Sequence, residues 1–261
     1  MKEPFFPPRL AECYRELEKI AVPETGVSLD ATAVAAWEKR SPLLACAPPV
    51  IDPEVFVALA GQVFETLARY LPEMARDLEK LRLSLPDDNA DRNSLIGALL
   101  SRDEKAVTFL KPGHGLPLDV FGFAFSHVLR ILLAAYSRRL RSKVGFDLWD
   151  RGDCPVCGSK PNFSRIDPGG RRYLYCGLCS TQWRFVRAAC PFCGTTDPDE
   201  LSFYPFENGA YRVYVCARCK GYVKTIDERR TGENHADLFW EDIKTVSLDI
   251  SALRLGFANR L

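Results

Sequence analysis

The first half of the chain repeats apolar residues at intervals of three and four, the spacing that places side chains on one face of a helix. One such stripe comprises Leu10, Cys13, Leu17 and Ile20. A second stripe comprises Val55, Leu59, Val63, Leu67 and Leu71. Asp52 and Pro53 supply an N-cap and a first-turn proline ahead of the second stripe, and Pro72 interrupts it. Both stripes predict amphipathic helices.

Further helices are expected over about residues 92–100, from Asp103, and over about residues 118–141. The most apolar stretch of the chain, residues 120–136, lies in the last of these and is interrupted by Arg130. It falls short of the ~20 apolar residues that span a bilayer, so we interpret it as a buried helix and predict no membrane insertion. Residues 1–149 are therefore predicted to form a helical domain, an N-terminal helix bundle.

From about residue 150 the chain runs twice through the same unit. The motif Cys-Pro-x-Cys-Gly at residues 154–158 returns at residues 190–194, and each copy precedes a strand-like run, a glycine-containing turn and a second strand-like run. Each second run ends in another Cys-x-x-Cys pair. The first pairs start 36 residues apart and the second pairs 40 residues apart, which indicates an internal repeat. We assign residues 150–188 to a first metal ribbon and residues 189–230 to a second.

The end of the chain is predicted to be helical again. A final helix is expected over residues 236–256, within a C-terminal helical segment of residues 231–261. The inward face expected for this helix comprises Leu238, Ile243, Val246, Ile250 and Leu253. The predicted fold class is α+β: an N-terminal helical bundle, two tandem rubredoxin-like or zinc-ribbon units, and a C-terminal helix.

Eight of the ten cysteines form four Cys-x-x-Cys pairs, a spacing that lets both sulfurs of a pair bind one tetrahedral ion. Because a hairpin brings consecutive pairs together, we expect sequential pairing; interleaved pairing would strain the short hairpins. The expected metal ligands are Cys154, Cys157, Cys176 and Cys179 in one site and Cys190, Cys193, Cys216 and Cys219 in the other. Gly158 and Gly194 follow two of the pairs, where glycine permits a positive φ. The alternative interpretation is a set of core cysteines or disulfides.

Four thiolates suit tetrahedral zinc or a single rubredoxin-like iron, and the spacing does not separate the two metals. A site with four protein ligands is closed to water and substrate, which disfavours hydrolytic metal catalysis. Zinc would make the sites structural, iron would allow one-electron chemistry, and a partly unmetallated knuckle would leave thiolates for exchange or sulfur transfer. Surface or core roles are expected for His114, His127 and His235. Cys13 and Cys46 are interpreted as small buried hydrophobes.

Charge disfavours a nucleic-acid partner. The chain has 35 basic and 34 acidic residues, so no global field draws it to a polyanion. Residues 150–230 hold 13 Lys/Arg and nine Asp/Glu, a surplus that two four-thiolate sites with divalent ions would cancel. The arginines assigned to this compensation are Arg151, Arg171, Arg172, Arg184, Arg187 and Arg218. The aromatic residues assigned to ribbon packing, with a solvent-facing subset available to a peptide, are Tyr173, Tyr175, Trp183, Phe185, Tyr204, Tyr211, Tyr214 and Tyr222.

The first ten residues contain an acid and prolines where an export signal needs an apolar run. We therefore expect a cytoplasmic location. Paired cysteines in that reducing compartment hold metal more often than they form disulfides, which strengthens the interpretation as metal sites.

Several motifs of the second half occur together in one known family. They are Cys-Pro-x-Cys-Gly-x-x-Pro at residues 154–161, RRYLYCGLCSTQW, Arg187, CPFCG, VCARCKGYVKTID and DIKTVSLDISALRLGF. This combination resembles the bacterial formate dehydrogenase accessory protein family, FdhE, over most of residues 150–257. The resemblance implies a cytoplasmic maturation factor without enzymatic activity that contacts the catalytic subunit of formate dehydrogenase. Carried over by position, the eight motif cysteines correspond to the family's metal-site cysteines.

Three functional hypotheses stay open at this point. The first is an assembly protein whose metal ribbons and helical platform hold an immature oxidoreductase subunit, with redox sensing as a variant of that role. The second is a zinc-ribbon nucleic-acid-binding protein, which would need a basic, aromatic-rich face. The third is a thiol-based redox or sulfur-transfer enzyme, which would need accessible thiols. The sequence leaves the oligomeric state open.

Overall fold

The computed structural model describes residues 6–22, 34–35, 37, 41–110, 115, 117–141, 143–232 and 237–258. The chain divides into two compact units. The helical unit comprises residues 7–35 and 43–136, and the sheet unit comprises residues 1–6, 36–42 and 137–261. The four segments assigned from the sequence, with boundaries after residues 149, 188 and 230, stay predictions.

The helical unit has the helices that the apolar stripes predict. Its described α-helices are Pro8–Lys19, Leu43–Cys46, Pro53–Tyr70, Ala75–Leu83, Asn89–Ser101 and most of Leu118–Leu140, with 3₁₀ turns at Pro72–Met74 and Glu104–Phe109. The Asp52 side chain accepts a hydrogen bond from the Glu54 N–H at 2.8 Å, which is the expected N-cap. The third helix expected from the sequence begins earlier than residue 92, because Asp88 caps it by accepting from the N–H groups of Ala90 and Asp91, both at 2.9 Å.

The helix Leu118–Leu140 is long and apolar enough to cross a membrane by length and composition alone. Within the helical unit, however, it contributes buried side chains to the core. The ring of Phe125 stacks on that of Phe56 at 6.2 Å and meets the edge of Phe64 at 5.5 Å. Tyr136 donates a hydrogen bond to the Ala47 carbonyl at 2.7 Å. These contacts support the interpretation as a core helix.

His127 lies on this helix and is 7% exposed, between the rings of Tyr14 and Phe123. Burial, with a smaller contribution from the charge of Arg130, lowers the pKa of His127 to about 4. The unfolded chain therefore binds a proton between about pH 6.5 and 4 that the folded chain does not, and stability falls as the pH falls through this window.

We expect the helical unit to lose about 3 kcal/mol of unfolding free energy from pH 7 to pH 4 through His127 alone. Urea unfolding followed by circular dichroism at both pH values, for the wild type and for His127→Phe, measures this contribution. In His127→Phe this loss of unfolding free energy between pH 7 and pH 4 is expected to be absent. An equal pH dependence in the two proteins would show that His127 is not buried in its neutral form.

The sheet unit contains one six-stranded sheet in the order β3-β2-β1-β6-β5-β4. Its strands are Phe163–Ile166 (β1), Arg172–Tyr175 (β2), Gln182–Phe185 (β3), Leu201–Phe206 (β4), Tyr211–Cys216 (β5) and Tyr222–Asp227 (β6). Each repeat contributes three strands, whereas the sequence predicted two. β1 and β6 pair in parallel, and the other neighbours are antiparallel. The two ribbons therefore share one sheet.

The C-terminal segment differs from the prediction of one final helix. It forms two helices, Leu238–Lys244 and Val246–Arg254. They separate at Thr245, whose hydroxyl donates to the Glu241 carbonyl at 2.7 Å, a side-chain bond that competes with regular helix geometry. Leu253, expected to face inward, is 57% exposed. The core between these helices and the sheet instead includes Leu238, Leu248, Ala252, Val213, Val215, Tyr222, Phe163, Tyr175 and Ile226.

Candidate metal centres

All four Cys-x-x-Cys pairs adopt the same backbone turn. The N–H of the first cysteine donates to the carbonyl five residues later at 2.8–3.0 Å, and the N–H four residues later donates back to the cysteine carbonyl at 2.9–3.0 Å. In the first turn these bonds join Cys154 to Ser159 and to Gly158. This repeated geometry aims both thiols of a pair toward the same side, as metal knuckles require.

The residue after each second cysteine has a positive φ. Gly158 and Gly194 have φ of 74° and 76°, as the sequence predicted. Ser180 and Lys220, at the equivalent positions of the other two turns, have φ of 56° and 57°. Glycine in the sequence therefore indicated this backbone conformation in only two of the four knuckles. In the other two, the turn imposes a positive φ on a residue whose side chain makes it less favourable.

The eight cysteines assemble into two groups of four, with the sequential composition expected. The first cluster comprises Cys154, Cys157, Cys176 and Cys179, and the second cluster comprises Cys190, Cys193, Cys216 and Cys219. Within each cluster the ligand atoms lie within 4.8 Å of one another.

The sulfur separations match a tetrahedral ion. In the first cluster, Cys154 and Cys179 are 3.4 Å apart, and Cys157 and Cys176 are 3.5 Å apart. The corresponding cross-knuckle distances in the second cluster are both 3.7 Å. Metal–sulfur distances of ~2.3 Å give tetrahedral edges of ~3.8 Å, whereas a disulfide bond is ~2.05 Å long. The geometry is that of two four-cysteine metal sites.

The first cluster is buried and is supported by hydroxyl groups. All four of its cysteines are buried. The Thr181 hydroxyl lies 2.9 Å from the sulfur of Cys179 and 2.7 Å from the hydroxyl of Ser137. Ser159 Oγ lies 3.4 Å from the sulfur of Cys157. Hydroxyls at these positions can donate to thiolates and so stabilise the charge of a metal-bound cluster.

Burial makes the first cluster dependent on a cation. It raises the pKa of Cys154 and of Cys179 well above the ordinary value of a thiol. Hydrogen bonds from the thiols of Cys154 and Cys176 lower the pKa of Cys157. Four thiolates in such a buried site repel one another, so complete deprotonation requires a bound metal ion.

The second cluster is more open to solvent. Cys190 and Cys216 are buried, Cys219 is half-buried and Cys193 is exposed. Burial raises the pKa of Cys190. It also acts to raise the pKa of Cys193, but a hydrogen bond from the Thr195 N–H and the neighbouring thiols outweigh it and lower that pKa. The second cluster therefore presents the more reactive sulfur.

The greater solvent exposure of the second cluster predicts the order in which the two metal ions are released. A chromogenic zinc chelator added to the metal-loaded protein should remove the second-cluster ion at least about tenfold faster than the first, because thiolate exposure controls access. Alkylation with mass mapping after the fast phase should label Cys193 and Cys219 before Cys154 and Cys157. Release in a single phase, or labelling of the first cluster first, would contradict the difference in burial.

A glycine that the sequence did not single out connects the two repeats. A Cβ atom on Gly152 would lie 1.9 Å from the carbonyl oxygen of Pro191, which is inside the first knuckle of the second cluster. Only glycine lets the segment before Cys154 approach that knuckle so closely. The chain leading into the first ribbon is thus in contact with the second.

The arginines assigned to charge compensation have different surroundings. Arg151 and Arg171 form ion pairs with Asp153 and Asp167, both at 2.7 Å. Arg184, Arg187 and Arg218 are exposed, and Arg172 is 2% exposed. Carboxylates thus neutralise two of the arginines that the sequence assigned to compensation of the cluster charge. Among the aromatic residues, Tyr175, Trp183, Phe185 and Tyr222 are buried, Tyr173, Tyr211 and Tyr214 are half-buried, and Tyr204 is exposed.

The remaining candidates that the structure describes belong to the helical unit. Cys13 is buried in the helical unit and Cys46 is half-buried there. His127 also belongs to the helical unit, and His114 and His235 lie outside the described residues. Among the described residues, the two four-cysteine groups are the sets of metal-binding side chains that come together.

Comparison with known proteins shows what the cysteine-rich part of the chain is similar to. The FdhE central domain matches residues 153–187. A protein FdhE homolog from Aquifex aeolicus (strain VF5) is 36% identical over 149 residues, covering 55% of this chain and 51% of the relative. A protein FdhE homolog from Edwardsiella ictaluri (strain 93-146) is 30% identical over 174 residues, covering 64% of this chain and 52% of the relative. The chain thus spans about half the length of these relatives.

A solved structure extends the similarity to most of the chain. The crystal structure of the FdhE protein from Pseudomonas aeruginosa superposes with a TM-score of 0.61 and 23% identity, covering 97% of this chain and 84% of that one. At this identity the match shows the fold, an α+β arrangement of helices and tandem ribbons. The resemblance to the FdhE family suggested by the sequence is confirmed: residues 153–187 match the FdhE central domain, and the chain is similar to FdhE homologs over about half of their length.

Proposed function

We propose that the protein is a non-catalytic accessory factor that binds the catalytic subunit of formate dehydrogenase and is needed for its activity. The observation that carries this proposal is a pair of four-cysteine clusters in one sheet, the first of them inside an FdhE central domain. Four sulfur ligands complete the tetrahedral coordination of an ion and leave no coordination position for a substrate. Such centres therefore suit a scaffold better than a hydrolytic enzyme.

In this proposal each cluster binds one zinc or iron ion through its four cysteines. The ion would supply a charge that stabilises the buried thiolates and a covalent link between the two knuckles of each ribbon. The protein's own contribution is to orient the thiols, through the knuckle turns, and to exclude water from the first cluster. The ribbons and the helical unit then serve as binding platforms for the immature subunit.

We place this role in the cytoplasm, without membrane insertion and without a nucleic-acid partner. The balanced charge of the chain supports the last point, since phosphate binding relies on an excess of cationic groups. The core position of the helix Leu118–Leu140 supports the absence of a membrane span.

Thiol-based redox chemistry is a second candidate, which the exposure of Cys193 favours. It requires that the metal-loaded protein has about two reactive thiols in the second cluster. Quantitative thiol titration of protein containing two ions decides between the candidates. A scaffold is expected to show no reactive cluster thiol on the timescale at which a thiol-exchange enzyme would react.

The test of the accessory role uses a deletion strain of the source organism. Formate dehydrogenase activity is expected to be lost, restored by the wild-type gene and by Cys13→Ser, and not restored by Cys190→Ser. The catalytic subunit should co-elute with the wild-type protein. Normal formate dehydrogenase activity in the deletion strain would refute the proposal.

A further inference from the structure

A pocket of about 360 Å³ lies beside the second cluster, within the sheet unit. Cys190 and Cys216 line it on the side of the cluster. The rest of its wall is mainly apolar and includes Pro191, Phe192, Leu201, Phe203, Tyr214 and Val223. Its volume and its apolar wall are typical of sites for small organic molecules.

A buried cation lines this apolar pocket. Arg172 is 2% exposed, and its Nη1 donates to the Ala189 carbonyl at 3.2 Å. Its Nε and Nη2 are buried and have no hydrogen-bond partner among the described residues. The guanidinium carbon lies 5.1 Å from the centre of the Tyr214 ring. Two buried donors of a charged group are therefore unsatisfied, which is costly unless a ligand accepts from them.

Arg212, on strand β5 of the same sheet, is also buried but has a carboxylate partner. Its guanidinium pairs with the buried carboxylate of Asp227 at 2.8 Å. Within the part of the chain that the structure describes, Arg172 has no such carboxylate, and no acidic residue lines its pocket. Burial lowers the pKa of Arg172 to about 10, so it stays charged at neutral pH. The exposed Arg187 lines the same pocket and adds a second positive charge.

We propose that this pocket binds a small carboxylic acid with an aromatic or aliphatic body. The carboxylate would accept hydrogen bonds from Nε and Nη2 of Arg172, the geometry in which guanidinium and carboxylate match as a fork. The apolar body would contact the aromatic wall formed by Phe203 and Tyr214. Binding of the acid is a different function from metal binding by the cysteine clusters. The proposal does not depend on formate dehydrogenase being the partner.

The test uses 3-phenylpropionate as the probe and its amide as the uncharged analogue. Isothermal titration calorimetry on the full chain loaded with two zinc ions is expected to show one site with a dissociation constant of about 1 mM or tighter. The amide is expected to bind about tenfold to a hundredfold more weakly, since it cannot form charge-assisted bonds. Equal affinities for acid and amide, or no binding of the acid, would overturn the proposal.

Two substitutions that each remove one positive charge test where the acid binds. Arg172→Met should weaken binding of the acid about tenfold to a hundredfold, whereas Arg218→Met should leave it unchanged. Arg218 is exposed between two cysteines of the second cluster and is absent from the lining of the pocket, so it controls for the charge near the metal. Unchanged affinity in Arg172→Met would show that Arg172 only balances the charge of the cluster and would overturn the proposal.

Arg187→Met provides the same test if Arg172→Met does not retain two zinc ions. Arg187 is exposed, so its replacement spares the core. We expect affinity for 3-phenylpropionate to fall by several fold, with affinity for the amide unchanged. An equal effect on acid and amide would contradict a site that recognises the carboxylate.

Discussion

Replacing Cys154 by serine is expected to reduce the bound metal from two ions per chain to one and to unfold the first ribbon. Cys154 is fully buried, and the three strands of its repeat have only four residues each. Such short strands bury little surface of their own, so the ion supplies much of the stability. Structural zinc contributes ~10–16 kcal/mol to the folding of zinc-finger peptides, more than the whole stability of many domains.

Native mass spectrometry counts the ions, and amide hydrogen exchange reports the order of strands β1, β2 and β3. In Cys154→Ser these strands should exchange at rates close to those of an unfolded chain. The matched control is Cys13→Ser, since Cys13 is equally buried but belongs to the helical unit and to neither cluster. It should keep both ions and a protected sheet. A Cys154→Ser protein with two ions and protected strands would show that the first cluster does not hold the ribbon together.

Lys224→Ala is expected to destabilise the sheet unit by about 3–5 kcal/mol, the cost typical of breaking a buried ion pair from one side. Lys224 is 1% exposed on the central strand β6. Its ammonium lies 2.7 Å from a carboxylate oxygen of Asp242 and 2.7 Å from one of Asp249, and it donates to the Asp242 carbonyl at 2.7 Å. One side chain thus attaches both C-terminal helices to the sheet. Without it, two carboxylates remain close together in a largely buried site.

Burial raises the pKa of Asp242, while the charge of Lys224 acts in the opposite direction. Loss of the lysine should therefore raise this pKa further. A carboxyl with a raised folded-state pKa favours the folded state while protonated, and this advantage is lost as the pH rises through the folded-state pKa. The destabilisation by Lys224→Ala should accordingly be smaller at pH 5 than at pH 8.

Urea unfolding of the metal-loaded protein at both pH values measures these effects. The control is Lys244→Ala, because Lys244 is 62% exposed and pairs with Glu241 at 2.9 Å. Glu241 is buried but keeps a hydrogen bond from the Tyr211 hydroxyl at 2.6 Å, so loss of the exposed lysine should cost clearly less than loss of Lys224. Equal losses in the two variants would refute the anchoring role of Lys224.

Local patterns were sufficient to predict the longer helices of the helical unit, the repeat and the grouping of the cysteines, but not the helix Ala75–Leu83 or the division of the C-terminal helix. The N-cap at Asp52 and the apolar stripe before Pro72 depend on neighbours within a few residues, and so do the knuckle turns. The sequential clusters follow from the hairpin that separates the two pairs of each repeat. For such features the determining contacts are close in sequence.

Features that depend on distant contacts were missed. Strand β3 is only four residues long and directly follows a knuckle, and β6 contains Lys224, a residue that a single sequence places in solvent. It is buried because Asp242 and Asp249, 18 and 25 residues further along the chain, approach it in the fold. The parallel pairing of β1 with β6 likewise joins residues 61 positions apart, as at the Ser164 and Thr225 hydroxyls. Arg172 in its apolar pocket is another such case.

X-ray absorption spectroscopy of the anaerobically purified protein, combined with metal analysis, shows whether each set of four cysteines binds one ion. We expect two ions per chain, each with four sulfur neighbours at ~2.3 Å. Fewer than two ions in protein with reduced thiols, or a nitrogen or oxygen neighbour in place of sulfur, would contradict this expectation.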